Sequence, residues 1–79
     1  MMEWLASLGY TYKGMCGCKS NKEVYDNGTG WQIWVTKGRD RMEIRQILDR
    51  DTTLRGIANS TNYAEVYQYT LNKYTHESN

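Results

Sequence analysis

Seventy-nine residues are enough for one small domain and leave nothing for a second core. Ten basic and nine acidic side chains nearly cancel, which argues against a duplex-DNA binder working by phosphate neutralisation and against an acidic nucleic-acid mimic. Local charged patches remain compatible with that balance.

The apolar residues are unusual in kind: three Trp and seven Tyr, with no Phe and no Pro. Aromatics with a polar handle pack at the edge of a thin core while their N–H or O–H reaches water or a partner. A chain of this size buries only about 60% of its unfolded surface, so homo-oligomerisation is a natural way to add to it. The opening residues lack the basic and apolar segments of a signal peptide. No stretch approaches the roughly 20 apolar residues of a membrane span. Two cysteines are too few for a secreted disulfide framework. These features lead to an expected cytoplasmic, membrane-free protein.

Met1 to Leu8 reads as a short amphipathic helix, with Met1, Trp4, Leu5 and Leu8 on one side. Gly9 is placed to end it in the left-handed region. Tyr10 to Cys18 alternates like a strand, and Cys18 to Asn21 reads as a loop. Lys22 to Asp26 is a short strand around Val24 and Tyr25.

Asn27-Gly28-Thr29-Gly30 is the strongest turn signal, and Trp31 to Lys37 the most secure strand by its β-branched and aromatic content. Gly38-Arg39 then suits a two-residue turn, and Asp40 to Gln46 returns. Pairing Lys37 with Asp40 sets Val35 against Met42 and Ile33 against Ile44 on one apolar face. Thr36 against Arg41, Trp34 against Glu43 and Gln32 against Arg45 make up the other face. A slip of one residue destroys that sorting.

Ile47 to Ala58 reads as irregular, with Gly56 interrupting it. Asn62 and Glu65 resemble a capping box. The helix that follows carries Tyr63, Val66, Tyr67, Thr70, Leu71 and Tyr74 as one stripe, and Thr75 to Asn79 is expected to fray. The predicted fold is a single α+β domain over residues 1–79. It is a two-layer sandwich with a short N-terminal helix, a four-stranded antiparallel sheet and a C-terminal helix, in the order α-β-β-β-β-α. Val24, Trp31, Ile33, Val35, Met42 and Ile44 are expected to face the C-terminal helix.

Cys16 and Cys18, two apart on a strand, would supply half of a four-cysteine zinc site, but the remaining ligands are missing. A disulfide across one residue would be strained, so two reduced, small apolar residues are expected, with metal binding a weak alternative. Gly14 to Ser20 echoes a phosphate-binding loop but lacks its spacing and its following helix. The only histidine is His76, and no triad or carboxylate pair is evident. Neither catalysis nor a cofactor is expected.

The outer sheet face has the most content. Trp34 opposite Glu43 has Arg41 and Arg45 as diagonal neighbours. Tyr25 joins that face whether the Asn27–Gly30 turn uses two residues or four, since both preserve parity. Tyr25, Gln32, Trp34, Arg41 and Arg45 are therefore the candidate binding residues.

The order of helix, Gly–aromatic step, strands and final helix resembles the double-stranded-RNA-binding fold and the small toxin ribonucleases built on it. Trp4 to Tyr12 and Thr53-Leu54-Arg55 carry the resemblance, which covers about half the chain. The catalytic histidine of those toxins has no counterpart on the strands here, so the resemblance implies topology and no activity. The expected role is a non-catalytic binding module taking single-stranded nucleic acid on the outer face. The alternative is a protein-interaction or inhibitor domain that uses the same face for a homodimer or another partner.

Overall fold

The computed structural model describes residues 2–17 and 21–76. Helix α1 (Met2–Ser7) leads into strands β1 (Thr11–Met15), β2 (Lys22–Asp26), β3 (Trp31–Thr36), β4 (Arg41–Leu48) and β5 (Asp51–Ala58), and helix α2 (Tyr63–His76) follows. The strands form one antiparallel sheet in chain order, β1-β2-β3-β4-β5. The sheet thus has five strands rather than four.

The β3–β4 register is the one the side-chain sorting requires. Ile33 faces Ile44 and Val35 faces Met42, while Trp34 faces Glu43 and Gln32 faces Arg45. Ile33 and Ile44 are fully buried. Both helices cover this apolar face. Leu5, Tyr10, Tyr25, Trp31, Ile33, Met42, Ile44, Ala58 and Tyr67 form the core, flanked by Trp4, Val35, Tyr63, Val66, Leu71 and Tyr74. Trp4 of α1 packs edge-on against Tyr63 and Tyr67 of α2, at 4.6 and 5.2 Å between ring centres. The Tyr10 hydroxyl donates to that of Tyr67 at 3.2 Å.

Gly9 ends α1 as its position predicts. It takes φ +88, and the Gly9 and Tyr10 amides donate to the Ala6 and Leu5 carbonyls, the paired bonds of a Schellman motif. The start of α2 differs from the capping box. Asn62 Oδ1 accepts from the Asn59 amide, and Asn59 Oδ1 in turn accepts from the Thr61 and Asn62 amides. The Asn side chains here close local turns, a competing use of the same chemistry. The α2 stripe is turned inward and the helix runs to His76; the tail residues 77–79 lie outside the described residues.

Three segments depart from the sequence reading. β1 is shorter than Tyr10–Cys18, because its pairing shifts between Tyr12 and Gly14 and positive φ at Gly14 and Gly17 breaks the alternation.

The β2–β3 turn is odd in length. Asp26 faces Gln32, Asn27 donates to the Trp31 carbonyl, and Asn27 Oδ1 accepts from the Thr29 and Trp31 amides. This reverses the parity of β2. Tyr25 faces Ile33 inside the core, and Val24 faces Trp34 on the opposite side.

The segment read as irregular is β5, entered by a two-residue Asp49-Arg50 turn with Asp49 at φ +58. Gly56 does not break it. A Cβ there would lie 2.7 Å from Thr70 Oγ1 and 3.6 Å from Val66 Cγ1. The missing side chain is what lets α2 approach the sheet.

Candidate functional site

The sheet face away from the helices is built in cross-strand rows. Val24, Trp34, Glu43 and Ile57 form one row; Asp26, Gln32, Arg45 and Leu54 form the next; Lys22, Thr36 and Arg41 lie on the other side of the first. Four of the five predicted site residues, Gln32, Trp34, Arg41 and Arg45, share this face. Tyr25 does not: the odd turn sends it into the core, where burial and then the neighbouring Glu23 raise its phenol pKa.

Glu43 is the centre of the arrangement. Its side chain is 1% exposed although it lies on the outer face. Lys22 Nζ donates to Oε2 at 2.5 Å, Arg41 Nε reaches Oε2 at 3.4 Å, and Arg45 Nη2 reaches Oε1 at 2.7 Å. Burial on its own would raise the Glu43 pKa. Hydrogen bonds from Lys22 and Arg45, with their charges, outweigh it and hold the carboxyl below its ordinary range. One carboxylate therefore organises three cations.

Arg45 is fixed on every side. Its Nε donates to Glu43 Oε1 at 2.9 Å and its Nη1 to Thr52 Oγ1 at 3.1 Å. The guanidinium carbon lies 4.4 Å from the Trp34 ring centre, a cation–π stack. Trp34 Nε1 donates to Gln32 Oε1 at 2.9 Å, and Gln32 Nε2 donates to Asp26 Oδ2 at 3.0 Å. The Gln32 bond, offset in part by burial and aided by the Gly28 amide, lowers the Asp26 pKa. The result is an ordered chain, Asp26–Gln32–Trp34–Arg45–Glu43, across three strands.

Beside this chain, Leu54 and Ile57 of β5 are 41% and 48% exposed. At the other end, Lys22, Thr36, Lys37, Arg39 and Arg41 line a pocket of about 420 Å³. Five of the ten basic residues, Lys22, Lys37, Arg39, Arg41 and Arg45, thus gather on this face and the adjoining turn.

The sequence reading missed Lys22, Glu43 and Thr52 as members of the site. The β3–β4 register already set Glu43 between two arginines and opposite Trp34, a usable signal. Lys22 and Thr52 depended on the β2 parity and on β5.

Cys16 is disulfide-bonded, which corrects the expectation of reduced cysteines. A disulfide sulfur has no thiolate to offer zinc. Cys18 lies outside the described residues. Among the described residues no group of three or more His, Cys, Asp or Glu could hold a metal ion. No helix there is long and apolar enough to cross a membrane. Comparison with family models, curated proteins and solved structures finds no match to the chain.

Proposed function

We propose that the chain is a non-catalytic binding module that takes single-stranded nucleic acid on its outer sheet face. The observation that carries this reading is the Arg45 guanidinium held over the Trp34 ring while it bonds Glu43 and Thr52. A guanidinium plane stacks on bases as an aromatic ring does, and here its orientation is fixed before a ligand arrives. The cations gathered on the face supply attraction for phosphates, although the net charge of the whole chain is only +1. An open sheet face suits unstacked bases better than a closed duplex.

The test is titration of fluorophore-labelled single-stranded RNA and DNA with the full chain at low salt, read by fluorescence anisotropy of the strand. Arg45→Ala and Trp34→Ala are each expected to cost about 1–3 kcal/mol of binding, the usual worth of one stacked base. Arg41→Ala is expected to weaken binding and flatten its salt dependence.

A second reading rests on Leu54 and Ile57, the exposed apolar pair next to Arg45 and Glu43. They would make the same face a protein interface, closing a homodimer or receiving another partner. Sedimentation that shows a dimer dissociated by Ile57→Asp, with no response to either nucleic acid, selects this reading.

A further inference from the structure

At the end of the outer face away from Asp26, Lys22 faces Thr36 and Thr36 faces Arg41, three side chains abreast on β2, β3 and β4. The β3–β4 turn adds Lys37 and Arg39, and the five residues line one pocket. Gly38, at φ +81, lets the chain fold back between those two cations. The Arg39 amide donates to the Thr36 carbonyl at 3.2 Å and fixes the turn over the pocket.

Two features of this pocket are unfavourable as they stand. Among the described residues four cations line it, and the one carboxylate bonded to any of them is Glu43, which takes Lys22 and Arg41. Among the described residues Lys37 and Arg39 have no ion-pair partner. The Thr36 hydroxyl, in a residue only 9% exposed, is buried without a hydrogen-bond partner. Buried hydroxyls are nearly always satisfied, so an exception calls for a reason.

One ligand chemistry answers both features. A tetrahedral oxyanion brings negative charge to the cations and several acceptor oxygens, enough for an arginine fork, lysine point charges and a hydroxyl donor at once. A carboxylate, with two oxygens in one plane, satisfies fewer of these donors.

We propose that the pocket formed by Lys22, Thr36, Lys37, Arg39 and Arg41 is a binding site for a phosphate group. It stands apart from the Arg45–Trp34 stack and does not depend on a strand lying there. The phosphate has two sources, a free phosphate compound or the terminal phosphate of a nucleic-acid strand.

The experiment is an NMR titration of the full ¹⁵N-labelled chain with inorganic phosphate, against chloride at matched ionic strength. Saturable shifts are expected at the amides of residues 36–41. Arg39→Ala, at an exposed position that leaves the fold intact, is expected to weaken affinity about tenfold or more, the worth of one charge-assisted hydrogen bond. Thr36→Val is expected to weaken it as well while raising thermal stability in phosphate-free buffer, because it deletes a hydroxyl that has no partner.

A single strand with and without a 5′-phosphate separates the sources. A tenfold gain on phosphorylation that is lost in Arg39→Ala assigns the site to strand ends. No gain, with inorganic phosphate still bound, assigns it to a free phosphate compound. The proposal is overturned if inorganic phosphate gives no saturable shift beyond chloride, or if both variants keep the parent affinity. Phosphate binding without any strand binding defeats the stacking platform and leaves the pocket standing.

Discussion

Arg45 covers the ring of Trp34 with its guanidinium carbon 4.4 Å from the ring centre, and the same guanidinium grips Glu43. The stack is therefore part of the fold as well as of the candidate site. Arg45→Ala uncovers Trp34 and removes two charge-assisted bonds from Glu43. Trp34 emission is expected to shift to the red in the free protein. Arg45→Lys is expected to restore part of the stability but not the stacking, because an ammonium has no plane.

Glu43 makes stability depend on acid. Its folded-state pKa is held below the ordinary 4.5, so over a window below that value the unfolded chain binds more protons than the folded one. The contribution is complete above about pH 4.5 and declines as the pH falls toward the depressed folded pKa. Glu43→Gln is expected to destabilise the protein by about 3 kcal/mol at pH 7, at the low end for a broken buried pair because its cations keep partial solvent access. Urea melts at pH 7 and pH 3 check this, and the variant is expected to lose less stability than the parent between them.

Gly56→Ala tests the approach of α2 to the sheet. The added methyl meets Thr70 Oγ1 at 2.7 Å, and Thr70 is almost fully buried. Overpacking of this kind costs about 1–3 kcal/mol, reduced by the entropy gained in replacing glycine. A net loss is expected, and pairing the change with Thr70→Ala is expected to recover it in a double-mutant cycle. Equal losses in the presence and absence of Thr70 would show that the close approach is not the cause.

Ile33 is at the middle of the inner face between Tyr25 and Ile44. Ile33→Ala is expected to cost about 2–5 kcal/mol through the cavity it leaves. A fall in the urea midpoint with an unchanged slope is the expected signature.

What the sequence made legible follows from how locally each feature is encoded. Ile33 and Val35 against Met42 and Ile44 allow one sorted register, so the β3–β4 hairpin and the shared face of Gln32, Trp34, Arg41 and Arg45 could be read directly. The Tyr63–Tyr74 stripe repeats at helical spacing and was equally readable. Tyr25 was not, because its face depends on whether the turn after it holds an odd or even number of residues, and Asn and Gly serve both. β5 was hidden by Gly56, which reads as a breaker when only the chain is considered. The packing of Thr70 and Val66 over it, some distance along the sequence, supplies its reason. The burial of Glu43 depended in turn on Lys22 and Thr52, which reach it only through those two strands.

The chain-order sheet also has a consequence for how the molecule assembles. Every strand pairs with its neighbour in sequence, so each hairpin closes a short loop at small entropic cost. The two ends of the chain are joined by the contacts of Trp4 with Tyr63 and Tyr67, and of Tyr10 with Tyr67. They require the two helices to meet across a sheet that already exists. Hairpin formation is thus expected to come early and helix docking last. Substitutions at Trp4 or Tyr67 are expected to speed unfolding and leave the folding rate nearly unchanged, whereas substitutions in the β3–β4 hairpin slow folding itself.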